Sequence, residues 1–248
     1  MAAYSTGRPN TVKTYAYWED RFAAWLDGQS PSLEAAEQFL LHLRDEKGCK
    51  PNTIFVVAHA IRRNLGIPVS SPKMEIPEPD YLTLDQVNAL IENSESILQR
   101  TLFTVLFDTA CRISEVLQLR VSDLRLDDGV ATMTRKGGRR QDVALGHRSV
   151  LALREWLKVR QRNDDRVFMD YEYFYVARLL RDVAKKLGFK FHPHLLRHTR
   201  IRQLLDSGVP LERASEIAGH IRLDTTMKLY GSLKAAERAK YLDEMAPW

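Results

Sequence analysis

Residues 66 to 81 read GIPVSSPKMEIPEPDY, and prolines stand at 68, 72, 77 and 79. Each proline removes a backbone donor, fixes its own φ and restricts the residue before it. A stretch punctuated in this way forms neither a helix nor a central strand. It therefore divides the chain into two blocks, each of which has to bury its own apolar residues. The expected organisation is a small helical domain over 1–70, a linker over 71–80 and a larger domain over 81–248.

The first block reads as three helices. Val12, Tyr15, Trp18, Phe22, Trp25 and Leu26 recur near helical spacing between Asn10 and Leu26. Ala36, Phe39, Leu40 and Leu43 repeat that pattern after a Ser30-Pro31-Ser32 start signal, predicting a helix over 33–43. A third helix is expected over 52–65, and any fourth would have to hide in 66–76. After the linker, Thr83-Leu84-Asp85-Gln86 has the form of a capping box and opens a helix through about Asn93. Residues 97 to 119 are helical and mostly apolar, broken at 108–112. Short alternating runs around Asp127-Asp128-Gly129 and Lys136-Gly137-Gly138 predict a small antiparallel sheet within 121–146. From 147 to 245 the helical pattern returns, with breaks near 163–165, Gly188, Gly208 and Gly219. The fold class is mainly α with one small antiparallel β-sheet.

Composition narrows the function classes. With 44% hydrophobic and 28% charged residues, this is an ordinary globular chain and not a disordered one. No stretch approaches eighteen apolar residues and MAAYSTGRPN lacks the apolar core of a signal peptide, so a cytoplasmic, nucleoid-associated protein without a membrane partner is expected. Cys49 and Cys111 lie far apart with no CxxC pairing, which suggests neither a zinc site nor a disulfide framework. A net charge of +5 and a pI near 9.2 favour a polyanionic partner.

Four separated segments carry chemistry. Arg112 sits where a helical pattern breaks and restarts; taken alone, it pairs with Glu115 or Asp108. Arg135, Lys136, Arg139 and Arg140 surround a hairpin tip, either as a solvated loop or along a phosphate backbone. HPHLLRHTRIR at 192–202 places His194 and Arg197 one turn apart on one helix face, an arrangement suited to an anion at a helix N-terminus. In the fourth segment, Gly219-His220 and Tyr230 alone would read as a cap and a core residue.

Taken together, in this order and spacing, these segments resemble the tyrosine recombinases of the phage-integrase and Xer type, whose catalytic fold is shared with type IB topoisomerases. Arg112 matches the first arginine of a T-G-x-R-I-S-E-like motif, and Lys136 the lysine of the family's β-hairpin. His194 and Arg197 match its H-x-x-R box, followed here by His198-Thr199. His220 matches the G-H motif, 23 residues beyond Arg197, and Tyr230 the nucleophile. The resemblance runs from about 80 to 240. Tyr230 stands ten residues after His220 where nine is usual, with the extra residue between Thr226 and Tyr230. Ala110 and Cys111 stand where glycine and leucine are common.

The resemblance implies a helical core-binding domain and a catalytic domain forming a C-shaped clamp on duplex DNA at inverted-repeat core sites. It implies a homotetramer at synapsis with Ser232–Met245 exchanged between protomers, and strand cleavage through a 3′-phosphotyrosine. Arg112 and Arg197 would hold nonbridging oxygens, a task for which a guanidinium's planar fork is better shaped than an ammonium. His194 and His220 would donate to the phosphate or assist proton transfer, Lys136 would protonate the leaving 5′ oxygen and Tyr230 would attack. No metal and no cofactor is expected. Two alternatives stand beside this one: a type IB topoisomerase and a DNA-binding regulator that does not cleave.

Overall fold

The computed structural model describes residues 9–74, 80–135, 138–161, 164–168, 171–192 and 194–219. The chain divides into two compact units, Met1–Pro77 and Glu78–Trp248.

Among its described residues the first unit holds three helices: α1 (Pro9–Leu26), α2 (Leu33–Asp45) and α3 (Pro51–Leu65). Ser32 caps α2, its hydroxyl accepting from the Ala35 N–H at 3.1 Å. Pro51 takes the first position of α3, where its missing donor costs nothing, and Gly66 closes the helix in the left-handed region at φ 71°. Most of the periodic residues meet in one core, where Phe22, Leu26, Phe39, Leu43, Val57 and Ile61 are all buried, while Val12 at the start of α1 stays 42% exposed. No fourth helix occupies 66–74. That segment is irregular, yet it lays Val69 into the same core at 1% exposure.

The second unit begins with α4 (Leu84–Glu92), opened by the expected capping box. Thr83 Oγ1 accepts from the Gln86 N–H, and the Gln86 amide oxygen accepts from the Thr83 N–H. There follow α5 (Ile97–Thr109) and the short α6 (Ile113–Leu117), separated by the break at Ala110–Arg112. Strands β1 (Leu124–Arg125), β2 (Val130–Thr134) and β3 (Arg140–Ala144) pair antiparallel in that order. The β2–β3 register runs from Val130 opposite Ala144 to Thr134 opposite Arg140. Ala131 and Met133 point into the core, while Arg125, Thr132 and Asp142 bond to one another on the outer face.

Helices α7 (His147–Val159), α8 (Tyr173–Lys186), α9 (Leu195–Asp206) and α10 (Leu211–Ala218) complete the described fold. The break expected near 163–165 is wider than its turn residues suggested. Between α7 and α8, residues 165–167 pair with residues 119–121: the Val121 N–H donates to Asp165 O at 2.7 Å, Arg120 bridges Arg166, and Phe168 is fully buried. The helical pattern expected beyond Gly219 lies outside the described residues. Among those described, no helix is long and apolar enough to cross a membrane.

Candidate active site

The site grows from the junction of α5 and α6. Thr109 ends α5, and Ala110 turns the chain in the left-handed region at φ 50°. Glycine adopts that conformation freely, whereas a side chain costs roughly 1 kcal/mol there. The turn sends the Ala110 carbonyl toward α9, where Arg197 Nη1 donates to it at 2.6 Å. Arg112 then caps α6. The Glu115 carboxylate accepts from the Arg112 N–H at 3.0 Å and from its guanidinium at 2.7 Å. Of the two partners expected for Arg112, Glu115 is the one used. Asp108 instead accepts from the Gly146 N–H and pairs with Arg200.

Arg197 is 5% exposed on α9, flanked by the buried Leu195, Leu196 and Ile201. Its Nη2 finds no hydrogen-bond partner among the described residues. A buried guanidinium donor without an acceptor is costly. Burial, with Arg112 beside it, draws the Arg197 guanidinium down to about 10, so it remains a cation at neutral pH. His194 stands at the N-terminal end of the same helix. Partial enclosure, then the charges of Arg197 and Arg112, hold its imidazole below the usual range. His198, half-buried behind it, is lowered to about 4, by burial first and then by His194, His192 and Arg197.

The basic cluster at 192–202 therefore splits by function. His194 and Arg197 belong to the pocket around Arg112. Arg200 ties α9 to the end of α5 through Asp108, and Arg202 pairs with Asp206 at 2.8 Å. Not every cation of the cluster turns to the same place: spacings of 3 and 5 from Arg197 carry Arg200 and Arg202 to structural partners. Thr199 is structural as well, accepting from the Leu82 N–H at 2.9 Å.

The larger correction concerns Arg135. It was expected at an exposed hairpin tip, yet it is 3% exposed. Its Nη1 donates to Glu115 Oε2 at 2.9 Å and to Cys111 Sγ at 3.2 Å. The signal was present in the strand period, because Ala131 and Met133 face inward and 135 continues the same parity. Turn composition outweighed it. Glu115 thus serves two guanidiniums, and burial, which would raise its carboxyl, is outweighed by the Arg112 N–H, the Arg112 side chain and Arg135, which hold it below the ordinary value. Cys111 is pushed up by burial.

Of the six residues expected to form the site, the structure brings Arg112, His194 and Arg197 together. Lys136, His220 and Tyr230 lie outside the described residues. Among those described, Arg112, Arg135 and Arg197 surround the single carboxylate of Glu115, which leaves the pocket with surplus positive charge.

The described residues of the second unit are thus mainly helical with one small antiparallel sheet, and they gather three guanidiniums around one carboxylate. Residues 80–237 match the phage integrase family, and the chain belongs to that family. It is 27% identical to tyrosine recombinase XerA of Pyrococcus furiosus over 263 residues, covering 95% of this chain and 90% of the relative. Tyrosine recombinase XerC of Proteus mirabilis is 30% identical over 196 residues, covering 72% of this chain and 63% of that one. Among solved structures, XerH site-specific recombinase in a post-cleavage complex with palindromic difH substrate superposes with a TM-score of 0.77 at 18% identity, covering 94% of this chain and 80% of that one. XerA recombinase gives 0.61 at 23% identity, covering 98% and 94%.

Proposed function

We propose that this phage integrase family member is a site-specific DNA recombinase that breaks and rejoins duplex DNA through a 3′-phosphotyrosine. The observation that carries this reading is the buried Nη2 of Arg197, unpartnered among the described residues, beside Arg112 and His194 and near Glu115, whose carboxylate is already engaged by two guanidiniums. The Xer names of the relatives favour a recombinase over a relaxing enzyme or a non-cleaving regulator.

In the proposed reaction, Arg112 and Arg197 each donate to nonbridging oxygens of the scissile phosphate, where charge accumulates in the transition state. The Tyr230 oxygen attacks phosphorus as its proton passes to a neutral imidazole of the site, His194 or His220, and the bond from phosphorus to the 5′ oxygen breaks. Lys136 delivers a proton to that oxygen, and His194 and His220 donate to the phosphate. One phosphodiester is exchanged for a phosphotyrosine, so no water is consumed and a 5′ hydroxyl can reverse the step. Both units engage the duplex, the first as a core-binding domain over 1–70, and a tetramer assembles on inverted repeats through Ser232–Met245. The protein acts in the cytoplasm at the nucleoid.

The test uses duplex DNA of random sequence. Fragments that stay attached to the chain after a denaturing wash are sequenced, and two captured sites are joined on one plasmid. A recombinase yields covalent capture, inverted repeats in the captured sequences and strand exchange between sites. Relaxation without exchange would favour the topoisomerase reading, and binding without capture would favour the regulator.

A further inference from the structure

A second group of cations collects at the end of α6 that lies away from Arg112. A cleft of about 200 Å³ opens there between Gln118, Arg120, Asp123, Thr134, Arg140 and Arg166. Arg112 caps the start of α6 and Gln118 its end, so about 9 Å of helix rise separates the cleft from that arginine. Thr134 directly precedes Arg135 in the chain. Strand parity turns the two side chains to opposite faces of the sheet, one toward the cleft and the other toward Glu115.

Two features set this cleft apart from an ordinary solvated surface. Arg120 and Arg166 form an isolated antiparallel bridge, which places them directly across from each other. Like charges so placed repel, and a carboxylate on either side would have served the pairing better. The second feature is that the nearby carboxylates are already engaged. Asp123 has a side chain only 7% exposed; it accepts from the Arg120 N–H at 3.1 Å and pairs with Arg140. Asp165 accepts from the Ser122 N–H at 2.9 Å and from its hydroxyl at 2.7 Å, and it meets the Arg120 guanidinium at 3.6 Å. Arg160 and Asp164 alongside pair with each other. Among the described residues, the three guanidiniums of the cleft thus face two carboxylates, which leaves one positive charge. That matches the single negative charge of a phosphodiester and falls short of a terminal phosphate, which carries nearly two.

We propose that this cleft is a second phosphate subsite, which binds one phosphodiester of duplex DNA away from the point of cleavage. Arg120 and Arg166 donate to its nonbridging oxygens, Thr134 and Gln118 supply neutral donors, and Arg140, held by Asp123, adds charge. The inference rests on the proposed DNA-cleaving function. Duplex DNA carries one phosphate per about 3.4 Å of axis on each strand, so a duplex seated on Arg112 and Arg197 presents others within reach of the cleft. The contact reads no sequence; it fixes the register of the backbone against α6.

The test uses a duplex selected for binding from a random pool, so its readout does not depend on cleavage. Each backbone phosphate in turn is replaced by an uncharged methylphosphonate. The proteins are wild type, Arg120→Gln, Arg166→Gln, the double variant and Arg112→Ala, each checked for folding. Arg120 and Arg166 are both exposed, and either single variant carries the test if the other does not fold. Each of these two changes should weaken duplex binding about threefold to tenfold and lower the slope of log affinity against log salt by about 1. In the scan, one position should lose its methylphosphonate penalty in the double variant while the penalties elsewhere persist. Arg112→Ala should lose the penalty at a different position. Loss at every position, or at none, makes Arg120 and Arg166 part of a diffuse surface charge and overturns the inference. So does loss at the same position in Arg112→Ala, which would merge the cleft with the Arg112 pocket. Unchanged duplex affinity, with inorganic phosphate or ATP raising the melting temperature of wild type and not of the double variant, assigns the cleft to a free anion and overturns the DNA contact. Covalent capture of DNA by wild type alongside any of these results leaves the proposed function standing. Failure of wild type to bind any duplex overturns both.

Discussion

Glu115→Gln is the perturbation that probes the pocket most deeply before any DNA is added. The carboxylate is 3% exposed and accepts three bonds, from the Arg112 N–H at 3.0 Å, the Arg112 guanidinium at 2.7 Å and Arg135 at 2.9 Å. An amide of the same shape keeps one acceptor oxygen and turns an NH2 group toward a guanidinium. It also leaves Arg135 buried without a counter-charge. Removing one partner of a buried pair costs about 3–5 kcal/mol, and the retained oxygen places this variant near the lower end, about 3 kcal/mol. In a unit of this size that lowers the melting temperature by about 6–12 °C. The sign of the pH dependence follows from the lowered carboxyl of Glu115. A depressed acid contributes stability that is complete above its unfolded value and is lost as pH falls through its folded value. The gap between wild type and Glu115→Gln should therefore be full at pH 7 and close below about pH 4. Urea unfolding of the full chain at a series of pH values measures it. A gap under about 1 kcal/mol at pH 7, or one that does not change in acid, would refute the assignment of Glu115 as the charged hub.

Two further predictions concern titration on α9. His198 is lowered to about 4, so the unfolded chain binds more protons than the folded one between that value and about 6.5, and stability should fall as pH drops through this window. His198→Gln should flatten that part of the pH–stability curve; an unchanged slope would exclude His198 as its source. The burial that draws Arg197 down to about 10 would also draw a lysine there below its ordinary value of about 10.4. DNA affinity of Arg197→Lys should then fall between pH 7 and pH 9 relative to wild type, and parallel affinity profiles would contradict the buried position of that charge.

The sequence made the helical skeleton legible because its signals are local. The apolar spacing around Phe22 and Phe39, the Thr83–Gln86 box and the left-handed Gly66 each act within a few residues, and each appears as expected. Within the candidate site, the nearness of Arg112, His194 and Arg197 is what the motif order implied. What escaped was long-range. Phe168 is buried next to a short antiparallel bridge between Arg120 and Arg166, and no periodicity announces it. Arg135 was hidden by its turn-rich neighbourhood, although strand parity aimed it inward. Arg200 and Arg202 resemble Arg197 in sequence, and only the tertiary positions of Asp108 and the next helical turn separate them.

The most direct measurement is the identity of the residue that becomes covalently bound to DNA. The captured adduct is digested, and the peptide carrying the nucleotide is sequenced by mass spectrometry, with Tyr230→Phe in parallel. The account predicts a single adduct on Tyr230 in the wild type, attached to a 3′ phosphate, and none in Tyr230→Phe, which should bind DNA as tightly as wild type. An adduct on Tyr241 or any other residue, or one that persists in Tyr230→Phe, would contradict it.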